Sequence, residues 1–446
     1  MDLSAFRDQI QNNIIDRCDK ALENLKETRK WHGYISRVTG LLLEAQLPGS
    51  TLGELCSITT EDGEQKLCEV VGFRGTTALM LCLEDSKGIS QGCKVYPKGH
   101  TLQVGLCMDL LGRVIDAIGV PMDHKPAPVY EEFRDIEQPA PESFGRPRIH
   151  DIFSTGIRAV DGLLTLGVGQ RVGLFAGSGV GKSTTMGMLA RYCVADINVI
   201  CLVGERGREV QDFLEESLGE EGLKRSVCVI ATGDKPAMMR MKCLFTATTI
   251  AEYFRDKGKN VLLMVDSMTR TALAARDVGL AVGEPPTMKG YTPSVFSMIP
   301  RVLERAGKSQ HGSITAIYAV LVDGEDVNEP IADTVRGVLD GHIWLKRKIA
   351  ERNHFPAIDI LGSISRLFTE ITDKEHQRAA SNMRNLISTY QDNEDLINIG
   401  AYEKGSSANI DKAINLKPEI DKFLQQGIRE ATPFQQTIQH LQTIMR

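Results

Sequence analysis

Nowhere in the 446 residues is there an apolar run approaching the ~20 residues needed to cross a bilayer. The opening Met1-Asp2-Leu3-Ser4 also lacks the basic-then-apolar plan of a secretion leader, so a cytosolic chain is expected. An excess of basic charge is missing too. The formal net charge is −6, which argues against a protein that coats nucleic acid, although local basic patches are compatible with it. The ten cysteines fall between Cys18 and Cys243 without a Cys-x-x-Cys pair, and the closest two are Cys193 and Cys201. Disulfides need an oxidising compartment and metal sites need clustered ligands, so free buried thiols are expected instead. The nine histidines form no ligand-like cluster either. What remains, 42% hydrophobic and 25% charged residues, is the composition of a globular chain. Its length suits about three domains.

Residues 3–25 place Leu3, Phe6, Ile10, Ile14, Cys18, Leu22 and Leu25 three or four apart, an apolar stripe that predicts an amphipathic helix over 1–28. Periodicity alone leaves open whether it lies on its own domain or docks a partner. Over 29–100 the texture changes. Short β-prone runs (33–38, 67–71, 78–83 and 92–96) alternate with turns such as Pro48-Gly49-Ser50 and Glu61-Asp62-Gly63, which predicts a small β-barrel. Residues 126–147 are proline-rich and aperiodic and read as an extended connector. In the core expected over 101–370, apolar strands at 171–175, 198–203, 227–231, 261–265 and 314–322 alternate with helical stretches. That pattern implies a parallel sheet covered on both faces. A C-terminal helical domain is expected over 371–446.

The strand Val172-Gly173-Leu174-Phe175 runs into Ala176-Gly177-Ser178-Gly179-Val180-Gly181-Lys182-Ser183-Thr184 and then into a helical stretch. A strand, a glycine-rich turn, Lys-Ser and a helix together predict a P-loop NTPase core. Glycines let the backbone N–H groups of 177–184 converge on phosphates, and the helix N-terminus adds partial positive charge. Lys182 would reach the β- and γ-phosphates, and the Ser183 hydroxyl would ligate Mg²⁺. Ala176 stands where the strict pattern has glycine, which is compatible if that residue is not left-handed.

Val261-Leu262-Leu263-Met264-Val265-Asp266 is an apolar strand ending in a carboxylate, suited to holding Mg²⁺, though strand-end aspartates also cap helices. Glu205, at the end of another apolar strand, could polarise an attacking water as general base. The run Glu205-Arg206-Gly207-Arg208-Glu209 could equally form a solvated ion-pair turn.

At these residues the chain resembles the rotary-type (RecA-like) ATPase superfamily, and within it the protein-export branch. The runs carrying this are 175–184, 204–210, 247–256, Asp266-Ser267-Met268-Thr269-Arg270, Gly283-Glu284-Pro285-Pro286 and 290–296. Further ones are Leu303-Glu304-Arg305-Ala306-Gly307, 328–333, Leu339-Asp340-Gly341-His342-Ile343, Leu110-Leu111-Gly112-Arg113-Val114-Ile115-Asp116 and 397–407. The branch contains flagellar export ATPases and their sisters in type III secretion injectisomes. The tail Ile397-Asn398-Ile399-Gly400-Ala401-Tyr402 followed by Gly405-Ser406-Ser407 points to the flagellar kind.

The resemblance implies a catalytic role for Glu205 with Arg206 beside it. Lys182 and Ser183 are implied on the phosphates and Mg²⁺, and Asp266 on the metal. Phe355, in Phe355-Pro356-Ala357-Ile358-Asp359, is implied to stack on adenine, with Tyr402 as a second candidate; a core role is the alternative for Phe355. Arg366, in Ser363-Ile364-Ser365-Arg366, is implied to enter the neighbouring subunit's site as an arginine finger. Because Glu205 and Arg366 lie in one chain, a ring of identical copies could complete a site at every interface, so a homo-hexamer is expected. ATP and Mg²⁺ are the implied cofactors. The implied partners are a stator-like regulator on the N-terminal helix, a central stalk protein, a membrane export gate and export chaperone–substrate complexes. The implied location is the cytoplasmic face of the inner membrane.

A hexameric RNA-translocating helicase shares this core and needs a basic, aromatic platform for single strands. Residues 30–100 hold only Trp31, Tyr34, Phe73 and Tyr96, with acidic and basic residues roughly balanced. No nucleic-acid partner is therefore expected. A nucleotide-holding subunit without turnover should lack the glutamate at position 205.

Overall fold

The structure is a computed structural model that describes residues 32–142, 145–322, 324, 326 and 329–446. The helix expected over 1–28 lies outside them, as do Trp31 and Asn328. Two compact units divide the chain, one ending at Leu102 and the other running from Gln103 to Arg446.

In the first unit six strands, β1 (Gly33–Thr39), β2 (Leu42–Gln46), β3 (Leu55–Thr59), β4 (Gln65–Arg74), β5 (Thr77–Cys82) and β6 (Lys94–Pro97), form a closed barrel. Its strand order is β1-β2-β5-β4-β3-β6, and β6 pairs back onto β1. Side chains alternate in and out along each strand. Leu43 and Ala45, Cys56 and Ile58, Cys68 and Val70, and Ala78 and Met80 fill the interior. Two of the six strands, β2 and β3, fall between the runs that the sequence marks as β-prone. Closure requires them, because β2 must bridge β1 to β5 and β3 must bridge β4 to β6.

In the second unit the strands are β7 (Gln103–Leu106), β8 (Arg113–Asp116), β9 (Glu132–Asp135), β10 (Ile152–Phe153), β11 (Leu166–Gly167), β12 (Arg171–Ala176), β13 (Ile197–Val203), β14 (Ser226–Ala231), β15 (Asn260–Asp266), β16 (Gly307–Lys308), β17 (Ser313–Leu321), β18 (Gly341–Leu345) and β19 (Ile358–Ser365). Nine of them build the main sheet, in the order β19-β18-β12-β17-β15-β13-β14-β8 with β16 beside β17. From β18 to β8 every pairing is parallel. Strands β13 and β14 are buried along their whole length, as expected of parallel strands covered on both faces.

The expected parallel sheet is flanked by two strands, β19 and β16, that run antiparallel to their neighbours. Only twelve residues connect β18 to β19, and they reverse direction through the short helix Arg347–Glu351 and a left-handed Asn353. Short returns of this kind give antiparallel pairs. Within the expected extended connector, β9 pairs with β7.

Three helices flank strands β12 and β15: α1 (Lys182–Tyr192) after β12, α2 (Ala237–Asp256) before β15, and α3 (Met268–Ala281) after it. The tail is helical, with α4 (Lys374–Asn398), α5 (Ala408–Leu424) and α6 (Phe434–Met445). It is tied to the core at the short helix Arg158–Leu163. There the His376 ring meets Gly162 O at 2.8 Å, and the Arg158 guanidinium donates to Phe423 O at 3.0 Å and pairs with Glu430. The nine cysteines among the described residues are unpaired and buried. No helix among the described residues is long and apolar enough to cross a membrane.

Candidate functional site

Strand β12 ends at Ala176, which is buried and has no left-handed backbone, so alanine is accommodated there. Gly179 and Gly181 take φ of +77° and +89°, values that glycine adopts without a Cβ penalty. They turn the chain into α1, whose N-cap Gly181 offers no side-chain acceptor to the first-turn N–H groups. Such unsatisfied donors at a helix start attract anions. The ring of Phe355 lies over this turn, with Cδ1 3.7 Å from the point where a β-carbon of Gly181 would stand. Phe355 is 41% exposed, and its carbonyl accepts from the Gln426 N–H at 2.9 Å.

One helix start and two strand ends bring charge to the loop. Lys182 begins α1, Asp266 ends β15, and Glu205 follows β13 by two residues. The Lys182 ammonium pairs with Asp266 Oδ1 and stands 3.6 Å from Glu205 Oε1. All three side chains are nearly buried, at 11%, 4% and 10% exposure. Arg270, in the first turn of α3, places Nη2 3.1 Å from Glu205 Oε2 and donates from Nη1 to Gly204 O.

Glu205 Oε1 is buried with no hydrogen-bond partner. Burial, a hydrogen bond shared with the Glu209 carboxyl, and the nearby Asp266 charge raise the Glu205 pKa to about 7, against the pull of Lys182 and Arg270. The Glu209 carboxyl is lowered, chiefly by accepting that bond. A glutamate near neutrality with an open acceptor oxygen can take a proton from water.

The matching family models are the β-barrel domain of the ATP synthase alpha/beta family at 35–99, the nucleotide-binding domain of that family at 156–365, and the C-terminal domain of the type III secretion ATPase EscN at 372–443. The chain is 52% identical to the flagellum-specific ATP synthase of Bacillus subtilis over 94% of its own length and 96% of the relative's. It belongs to the type III secretion branch of the ATP synthase alpha/beta family. A type 3 secretion system ATPase of Xanthomonas euvesicatoria is 44% identical, with 96% of each chain covered. Among solved structures, the assembled ATPase EscN of enteropathogenic E. coli superposes with a TM-score of 0.89 at 46% identity, covering 93% of this chain and 100% of that one. A second structure holds EscN in complex with its central stalk EscO, with a TM-score of 0.87 at 46% identity and the same coverage.

Within this family member the structure gathers Lys182, Glu205, Asp266 and the 177–184 turn into one cluster, with Phe355 beside it. Other expected residues stand apart. Arg206 is 86% exposed and reaches only Glu209, at 3.7 Å. The Tyr402 hydroxyl donates to Ser407 O and Asp411 Oδ1 at 3.0 and 3.1 Å, inside its own turn. Ser363 Oγ accepts from Trp344 N at 2.9 Å, and Ser365 Oγ donates to Thr165 O at 2.9 Å. Those two buried serines pin β19 and leave Arg366 exposed. Sequence reasoning assigned no role to Arg270 or Glu209, which reach Glu205 from separate elements.

Proposed function

We propose that this chain is the ATP-hydrolysing motor of a bacterial type III protein-export apparatus, of the flagellar kind, and that it works as a ring of six identical copies. The observation that carries the reading is the buried cluster at the loop mouth, where Glu205 Oε1 stands open beside Lys182 and Asp266. The N–H groups of Gly177, Ser178, Gly179, Val180, Gly181 and Thr184 form the cradle, with Lys182 on the β- and γ-phosphates and Phe355 on adenine.

The donor set fits Mg²⁺, since Ser183 offers an exposed hydroxyl and Asp266 a carboxylate, both hard oxygens. Bound there, Mg²⁺ would neutralise charge on the phosphates. Glu205 takes a proton from water while the water oxygen bonds to the γ-phosphorus. The bond from that phosphorus to the bridging oxygen breaks, and ADP departs with the electron pair. Arg270 and Glu209 hold the Glu205 carboxyl in place. Arg366 of the adjoining copy offsets charge on the transferring group, a contribution of about 10³–10⁵ in rate for arginine fingers.

Family membership and the assembled relative support a ring with a central stalk. The greater identity to the Bacillus subtilis flagellar relative than to the Xanthomonas relative supports the flagellar kind. By the same resemblance the ring works peripherally at the inner membrane, fed by chaperone–substrate complexes at an export gate. Turnover per copy should rise steeply with protein concentration. Constant activity on dilution, with Arg366→Ala harmless, refutes the shared site. Genomic neighbours encoding flagellar rather than injectisome parts decide between the two export systems.

A further inference from the structure

Strand β18 lies beside β12 in parallel register, with Leu345 opposite Ala176. Two residues beyond each member of that pair, where both strands have ended, stand Ser178 and Arg347. The residue before Arg347 is fixed twice: Lys346 N–H donates to Ala357 O at 2.9 Å, and Lys346 Nζ meets Asp359 Oδ2 at 2.6 Å. From this footing the exposed Arg347 guanidinium donates through Nη2 to Ser178 O at 3.2 Å.

The Ser178–Gly179 peptide is trans, so its C=O and N–H point in opposite directions. A carbonyl held towards Arg347 therefore aims the Gly179 N–H away from it, into the turn. Gly179 tolerates φ of either sign, so the sequence alone does little to stop this peptide from flipping and presenting oxygen to an incoming phosphate. The geometry points to Arg347 as a positioning residue that holds the Ser178–Gly179 peptide with its N–H facing the nucleotide's β-phosphate. This role rests on the nucleotide-binding reading above. It acts on binding of any nucleotide with a β-phosphate and not on the chemical step.

The test compares wild type, Arg347→Ala and Arg347→Gln as full chains, by steady-state ATP hydrolysis and by ADP titration. For Arg347→Ala the ATP KM and the ADP Kd should rise together by about tenfold, the low end for loss of one charge-assisted hydrogen bond, since the side chain is exposed. The kcat should stay within about twofold. Arg347→Gln keeps a donor without the charge and should fall between the other two. Unchanged KM and Kd overturn the proposal. So does a loss confined to ATP, which would place the guanidinium directly on the γ-phosphate. A glutamine variant as weak as alanine would assign the effect to charge alone, and also overturns it. A wild type that binds ADP without hydrolysing ATP would sink the motor reading, while the ADP arm would still decide the role of Arg347.

Discussion

Replacing Glu205 by glutamine should stabilise the protein while stopping it. Glutamine mimics the protonated carboxyl, and in the folded chain that form is favoured up to about pH 7, against 4.5 for an ordinary glutamate. The folded pKa is raised, so the wild-type chain is relatively most stable below pH 4.5. It then loses stability as pH rises to about 7, where the buried group is half ionised, and loses little more above that. A shift of this size corresponds to at most about 3 kcal/mol at 1.36 kcal/mol per unit. Solvent screening and the ion pairs with Lys182 and Arg270, which glutamine forfeits, reduce it to about 1–2 kcal/mol. For a unit of this size that is roughly a 2 °C gain in Tm at pH 8.

The assay is a thermal melt of both proteins, without nucleotide, at half-unit steps from pH 5 to pH 8.5. The difference in Tm should be near zero at the acid end, open between pH 5 and 7, and level off above. Turnover should meanwhile drop by about 10²–10⁴, the usual weight of a general base. A glutamine variant that melts lower than wild type at pH 8, or a difference that ignores pH, would refute the claim that this carboxylate is held ionised at a cost.

Other outcomes follow from the same geometry. Arg366→Ala should leave the melt unchanged, because the side chain is exposed, yet nearly abolish turnover. Mixing it with Glu205→Gln should restore activity at about a quarter of interfaces, those where each copy supplies what the other lacks; no recovery on mixing would count against the ring. Asp161→Asn should cost about 2–4 kcal/mol in chemical denaturation. The donors converging on that buried carboxylate, from Ser154, Thr155 and Gly156, stand at 2.7–3.1 Å, and an amide NH₂ cannot accept from them. Gly181→Ala has room for its methyl beside Phe355 but must hold φ near +89°, at about 1–2 kcal/mol. A roughly tenfold weaker ADP titration is expected.

The features legible in the sequence are those specified over short distances. The phosphate turn is a continuous strand–glycine–lysine–helix passage, and Asp266 closes an unbroken apolar run. The core strands are recognisable because both faces of the sheet are covered. Strand β2, Leu-Leu-Glu-Ala-Gln, has no β-branched residue and exists because the barrel must close. Strand β19 alternates in and out only over its last four residues, and its direction is set by the turn at Asn353. Arg270 and Glu209 act on Glu205 from a different element and from the next helical turn, and nothing in a linear pattern announces that convergence. Arg347 is hidden for a similar reason, since its partner is a backbone oxygen one strand away.

The pinned end of β19 also has a mechanical side. Arg366 N–H donates to Asp340 O, and Asp340 in turn grips Arg171, the first residue of β12, through its backbone N–H and its carboxylate. Six residues later that strand delivers the phosphate turn. Arg366 and the 177–184 turn thus hang on a single short rod. In the ring proposed above, a tug on the first would be felt by the second without passing through a long loop, a stiff means for neighbours to keep time.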